Sequence, residues 1–335
     1  MKFGPVAVAD AEGAVLAHSL AVAGGRLRKG RVLSAGDIAD LAAAGHVQVI
    51  VARAAPDEIG EDAAAAALAA AILQPGCGLT AEAPFTGRVN IRAEGAGIVA
   101  VDAEAVEQVN AIHEAITLAT LPPLQRVTAG MMVATVKIIP YAAPSKALDT
   151  AESAAPGALR LLPPVIRSAG LIVTQIDGRG GKTSSDTKGV AAIRARLDAL
   201  GVALAGIETV PHEASAVGEA LLRLPGELAL ILTASATSDA EDVGPAGLIR
   251  AGGALIRFGM PVDPGNLLFL GERAGQPVIG LPGCARSPAL NGADWVLERV
   301  ICGVAPDAAS IAAMGVGGLL KEIPTRPQPR ERRPR

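Results

Sequence analysis

The sequence predicts an α/β protein: a doubly wound parallel sheet preceded by a smaller α+β region. Three observations carry that expectation. From residue 165 to 258, apolar strand-like runs alternate with helix-length periodic segments, and strands separated by such helices pair in parallel. The glycine-rich turn DGRGGKTSSDTKG joins the first of these runs to the first helix, where such sheets place ligand loops. Half of the 335 residues are apolar but only 2% are aromatic, so two or three domains must be packed with Ala, Val, Leu and Ile.

Composition also excludes several classes. The net charge of −3 gives no support for nucleic-acid binding. Its basic exception is the tail, where Arg326, Arg330, Arg332, Arg333 and Arg335 against Glu331 make +4, leaving −7 for the rest. Cys77, Cys284 and Cys302 form no CxxC pair, and His18, His46, His113 and His212 are equally scattered. No zinc or iron–sulfur spacing exists, so a reducing cytoplasm is the expected compartment. The start, MKFGPVAVADAEG, has no signal-like apolar region, and no apolar run is long enough to span a membrane.

The α+β region is expected over 1–145. Residues 5–8 read as a strand. Ser34 is an N-cap that Asp37 completes as a capping box, with Ile38, Leu41 and Ala42 facing the core and Gly45 ending the helix. Residues 47–51 then read as a buried strand. Alanine propensity makes 57–72 helical. In 85–140 the pattern gives strands at 97–101 and 133–139, a helix at 103–112 and a turn at Pro122–Pro123. Arg88, Asn90, Arg92 and Lys137 there either approach an acidic ligand or decorate a solvated strand face.

Residues 146–164, rich in Ala, Pro and Ser, read as a linker with one short helix. The doubly wound domain follows over 165–322: strand 165–174, helix 189–200, strand 202–210, helix 214–224, strand 228–233, helix 242–251 and strand 254–258. Strands at 267–270 and 277–280 and a helix at 288–303, with Trp295 as a packing residue, complete it. The end, 323–335, is expected to be disordered.

The glycine-rich loop is the organising feature. Backbone N–H groups at the following helix N-terminus suit an anion, and Lys182, Thr183, Ser184 and Ser185 add charge and hydroxyls. A nucleotide P-loop is refused by spacing, because its first glycine would fall on Ile176. The dinucleotide fingerprint fails likewise, with Thr183 at its third glycine. The plain alternative is a glycine-rich connection between strand and helix. Other loops should meet it at the carboxyl ends of the strands. TASATSDAEDVGPAG supplies hydroxyls, and Asp239, Glu241 and Asp242 are oxygen ligands for Mg²⁺; ordinary helix N-terminal charge also explains Glu241 and Asp242. Arg286 is placed to clamp a phosphate or to form a surface ion pair. Cys284 has no basic partner nearby in sequence to activate it.

These loops, in order and spacing, resemble the molybdopterin-binding domain of molybdenum-cofactor biosynthesis proteins. Asp186, Thr187 and Lys188 stand where that family has Asp-Ser-Asn; Ala234–Ser235 and Thr237 stand in its Gly-Gly-x-Ser loop, followed by Asp242. Pro264–Gly265 matches its Pro-Gly turn, and Leu281–Pro282–Gly283–Cys284–Ala285 its Leu-Pro-Gly-Asn-Pro turn. KGRVLSAGDIADLAAAGHVQVIVAR is similar to the segment preceding this domain in molybdopterin molybdotransferases. ITLATLPPLQRVTAGMMVATVKIIPY and FGMPVDPGNLLFLGE bring the whole chain nearest to the molybdopterin-binding part of bacterial proteins that also carry a cytidylyltransferase-like domain, which has no counterpart here.

The resemblance implies a protein that binds molybdopterin or molybdenum cofactor through its phosphate, during biosynthesis, maturation or delivery. It implies phosphate and pterin contacts from Asp177, Gly180, Gly181, Lys182, Thr183, Ser184, Asp186, Lys188, Ser235, Thr237, Pro264, Gly265, Leu281, Pro282, Gly283 and Arg286, with Asp242 catalytic and Asp242 and Glu241 holding Mg²⁺. No nucleophile or general base stands out, which favours binding over catalysis. The alternatives are an Mg-dependent molybdotransferase-like enzyme and a scaffold for a molybdenum cofactor cytidylyltransferase. A molybdoenzyme client and a homo-oligomer are the expected partners, with neither nucleic acid nor membrane.

Overall fold

The computed structural model describes residues 1–176 and 187–320. The chain divides into two compact units, Met1–Gly95 with Val99–Leu161, and Ala96–Ile98 with the residues from Leu162 onward.

In the first unit, β1 (Lys2–Ala7), β2 (Val15–Leu16), β3 (Leu20–Val22), β4 (Gly25–Leu27), α1 (Ala35–Ala43) and β5 (Gln48–Arg53) come first. β5 lies between β1 and β2, antiparallel to both. α1 starts where expected: Ser34 and Asp37 form the capping box, and Gly45 leaves the helix with φ +82°. Leu41 is fully buried, but Ala42 is exposed. The expected buried strand at 47–51 instead alternates: Val49 and Val51 point inward while Val47 and Ile50 are exposed, as a one-sided antiparallel sheet requires.

Then come β6 (Glu58–Gly60), α2 (Glu61–Ile72), β7 (Leu79–Ala81), β8 (Arg88–Ala93), β9 (Gly97–Val101), α3 (Ala103–Ile112), β10 (Ile116–Thr120), β11 (Gln125–Val127), β12 (Met132–Ile138), β13 (Ala142–Pro144), α4 (Ser145–Ala154) and β14 (Leu159–Leu162). A four-stranded antiparallel sheet runs β10-β12-β8-β7. α2 buries Ala64, Ala65, Leu68, Ala69 and Ile72 in the same core, and its small side chains let the helix backbone lie close to that sheet. The segment expected as a linker, 146–164, is largely structured instead: Leu148, Ala151, Ala155, Ala158 and Leu159 are buried in this core. Leu148, Ala151 and Ala155 follow helical spacing, a signal that the Ser and Pro around them masks.

The second unit holds β15 (Ser168–Gln175), α5 (Thr187–Asp198), β16 (Ala203–Pro211), α6 (Ala214–Arg223), β17 (Leu228–Leu232), α7 (Val243–Arg250), β18 (Ala254–Phe258), β19 (Phe269–Arg273), β20 (Gln276–Leu281), α8 (Gly292–Ile301) and the short α9 (Ala308–Ala312). Its six-stranded sheet runs β16-β15-β17-β20-β19-β18. β16, β15, β17 and β20 are parallel; β19 is antiparallel to β20 and β18, so one edge is mixed. Every residue of β17 is buried, as a central parallel strand covered on both faces demands. α6 and α7 pack together across Gly218 and Gly247; a Cβ on Gly247 would fall 2.5 Å from Val217. α5 and α8 meet through a buried ion pair. The helix expected at 288–303, α8, begins at Gly292, because Asn291 is its N-cap.

Candidate functional site

The parallel strands of the second unit end together, and the loops after β15, β16, β17 and β20 leave from that edge. The β18–β19 connection joins them, since β18 runs with β20. This is where an open α/β sheet presents ligands. Of the site residues expected from the sequence, Asp177, Gly180, Gly181, Lys182, Thr183, Ser184 and Asp186 lie outside the described residues. Lys188 is exposed in the first turn of α5, at the positive end of a 12-residue helix.

Thr174, buried at the end of β15, ties three loops together. Its hydroxyl accepts from the Ala234 backbone N–H (2.7 Å) and shares a 2.9 Å bond with His212 Nδ1 after β16. Arg286 donates from Nη2 to the Thr233 carbonyl (2.8 Å), clasping the β20 loop to the β17 loop. This arginine, expected to clamp phosphate, therefore commits part of its guanidinium to protein.

Within the β17 loop, Thr233 donates to the Ser235 carbonyl (2.7 Å), and Thr233 and Thr237 face each other at 3.3 Å. Thr237 is buried, whereas Ser235 is exposed. Asp242 is the N-cap of α7: one oxygen accepts from Val243 N–H (2.7 Å) and the other from Ser238 N–H (2.9 Å). A protein carboxylate thus already occupies the positive end of that helix. Glu241 is exposed, and its own N–H donates to Asp239 (2.8 Å). Among the described residues, no three His, Cys, Asp or Glu side chains gather as a metal site. Asp242 therefore serves as a helix cap, with each of its oxygens already accepting one backbone N–H.

Leu281 and Pro282 are buried beneath an exposed Gly283. Pro264 and Gly265 are also buried: the Pro264 carbonyl accepts from Gly292 N–H (2.8 Å), and a Cβ on Gly265 would stand 2.7 Å from that nitrogen. Their turn supports the start of α8.

Arg196 is the residue that sequence reasoning missed. Buried in α5, it uses all five of its N–H donors. Nε binds Asp294; Nη1 donates to the carbonyls of Ala192 (3.2 Å) and Ala285 (2.9 Å); Nη2 donates to those of Ser287 (2.8 Å) and Ala289 (3.2 Å). The loop after Pro282 is wrapped around one guanidinium. Its sequence signal was an arginine inside the apolar stripe Gly189, Ala192, Ile193, Leu197. Thr174 and His212 were missed as well. Beside α5, a cavity of about 510 Å³ is lined by Val173, Thr187, Val190, Arg194 and Ile207 among others.

Arg88, in the first unit, bonds Thr135 (3.0 Å), while Asn90 (2.7 Å) and Arg92 (2.5 Å) both donate to Glu82. These pairings make up the solvated strand face that was the plain alternative. Among the described residues, no helix is long and apolar enough to cross a membrane.

A family described as "Domain of unknown function (DUF8806)" matches residues 5–53. No curated protein matches the chain. Among solved structures, the molybdopterin biosynthesis MoeA protein from Pyrococcus horikosii is similar at 12% identity, covering 90% of this chain and 74% of that one, with a TM-score of 0.29. A molybdenum cofactor biosynthesis protein from Pyrococcus furiosus is similar at 13% identity, covering 93% of this chain and 65% of that one, with a TM-score of 0.24.

Proposed function

We propose that the second unit binds molybdopterin or molybdenum cofactor through its phosphate, in the biosynthesis, maturation or delivery of that cofactor. The observation that carries this reading is the convergence, at one sheet edge, of the loops that bear the sequence resemblance. Thr174 and Arg286 lock two of them together. The phosphate is assigned to the start of α5, with Lys182 and Lys188 supplying charge and the exposed Ser235 and Gly283 available on loops of the same edge. α7 is the less favourable anion site because Asp242 already caps it. The cavity beside α5, walled by Val173, Val190 and Ile207, suits the apolar face of a fused ring.

Binding rather than turnover is the activity proposed. Asp242 has both oxygens on backbone N–H groups, and the Thr174 hydroxyl beside His212 is buried and also bonded to the Ala234 N–H. What the protein supplies is positioning and charge compensation for a phosphate.

The test is anaerobic molybdopterin binding, with and without Mg²⁺, to wild type, Lys182→Ala and Lys188→Ala. Each lysine variant is expected to weaken binding by about tenfold, on the order of one charge-assisted contact, with no dependence on Mg²⁺. A folded wild type that fails to bind overturns the reading.

A further inference from the structure

The first unit has a cavity of its own, about 480 Å³. One wall is cationic. Arg26 lies on β4, and Arg28, Lys29 and Arg31 follow it. Arg31 is paired with Asp37. Among the described residues, no carboxylate lies within ion-pair distance of Arg26, Arg28 or Lys29. Glu61 and Asp62, at the start of α2, form part of the lining. At the cavity, Phe85 is 75% exposed, an unusual state for an aromatic ring in a chain with only four Phe.

That exposure is built in. Phe85 and Arg88 exchange both backbone bonds (3.0 and 3.1 Å) around Thr86 at φ +50° and Gly87 at φ +70°. This is a two-residue hairpin turn with both central residues left-handed, a geometry that favours Asn-Gly and strains a threonine. The turn is pinned from two sides: Gly87 N–H donates to Asp62 (2.6 Å), and Lys137 Nζ donates to the Thr86 carbonyl (2.5 Å) while pairing with Glu61 at 3.6 Å. A Cβ on Gly87 would fall 2.5 Å from Glu61 Oε2. The fold thus accepts turn strain and a part-buried ion pair to hold a phenyl ring in water beside Arg26, Arg28 and Lys29.

We propose that this cavity is a binding site for an amino-substituted heteroaromatic phosphate, a chemistry that a purine nucleotide and a pterin phosphate share. The ring stacks on Phe85, the phosphate meets Arg26, Arg28 and Lys29, and exocyclic N–H groups turn to the carboxylates of Glu61 and Asp62. A bare phosphate would leave the ring unused. An uncharged ring would leave the cations unused. Only a ligand carrying both parts engages every group on the lining.

The experiment titrates the full chain with GMP, guanosine, ribose 5-phosphate and, anaerobically, molybdopterin, against wild type, Phe85→Ala and the double variant Arg26→Gln/Arg28→Gln. Either GMP or molybdopterin is expected to bind, at least tenfold more tightly than guanosine or ribose 5-phosphate. Phe85→Ala should weaken that binding by about tenfold, the scale of base–aromatic stacking, and Phe85→Trp should restore it. The arginine double variant should weaken it further and flatten its salt dependence. Which ligand responds to Phe85→Ala identifies the source. No binding by either ligand, indifference to Phe85→Ala, equal affinity for ribose 5-phosphate, or binding of a polyglutamate peptide in place of both overturns the proposal. Variants of Lys182 and Lys188 test the second unit separately, so failure at one site leaves the other standing.

Discussion

Helices α1 and α8 both start with a capping box whose third-position aspartate also receives an arginine. In α1, Asp37 accepts from Ser34 N–H (3.0 Å), from Ser34 Oγ (2.8 Å) and from Arg31 Nε (2.9 Å). In α8, Asp294 accepts from Asn291 N–H (2.8 Å) and from Arg196 Nε. The difference is solvent: the Arg31 side chain is 54% exposed, that of Arg196 only 9%. An exposed pair gains little over water. A buried pair is expensive to assemble, but more expensive to break on one side. The first therefore trims a helix end, while the second organises a loop of the candidate site.

The largest expected effect comes from breaking the buried pair. Arg196→Ala strands Asp294 and leaves the Ala285, Ser287 and Ala289 carbonyls without this donor, so urea unfolding should show a loss of about 3–5 kcal/mol. Arg196→Lys should recover little, because an ammonium cannot reproduce the planar fork. If Arg196→Lys matches wild type, the five-donor account is wrong. Limited proteolysis of the variants should cut first within 283–291.

A smaller effect sharpens the comparison at a helix end with no arginine. Asp242→Ala should cost about 1 kcal/mol, the usual worth of an N-cap, whereas Asp242→Asn should remain within a few tenths. Molybdopterin binding should survive Asp242→Asn. Loss of binding with stability intact would instead return Asp242 to the ligand.

The smallest effect at neutral pH belongs to Arg31→Ala, whose thermal midpoint should stay close to wild type. Its consequence appears in acid. The Asp37 carboxyl is held down to about 2, first by the Arg31 hydrogen bond and then by the Ser34 backbone N–H. The unfolded chain, with an ordinary carboxyl near 3.8, takes up this proton before the folded one does. Stability from Asp37 is therefore complete above about pH 4 and is lost as pH falls toward 2. Arg31→Ala should move that loss to higher pH. An NMR titration of Asp37 that does not shift upward in the variant would remove Arg31 as the cause.

Local patterns were legible wherever the deciding partners are close in sequence. Ser34 and Asp37 lie three residues apart, and the box, the helix and its Gly45 exit follow from that segment. Alternation of strand and helix in the second unit announced its sheet, and the strand expected at 267–270 is β19, although its antiparallel direction was not announced, since chain direction leaves no mark on an apolar run. The 146–164 segment was misread because its apolar stripe is short and its residues are mostly small. At the candidate site, Arg286 and Asp242 were legible as charged loop residues. Their tasks were not, because Arg286 meets Thr233 from 53 positions away.

By itself, the sequence determined the fold class, the alanine-rich packing, the capping box of α1 and the loops that share one sheet edge. All of these depend on periodicity and on contacts within a few residues. Tertiary structure alone decided which polar groups are committed to the protein and which remain for a ligand. Arg196 finds Asp294 across 98 residues and Thr174 finds His212 across 38, while among the described residues Arg26 and Arg28 have no carboxylate within ion-pair distance. Hydrogen-bond satisfaction and burial are properties of the assembled surroundings, and no residue carries them alone.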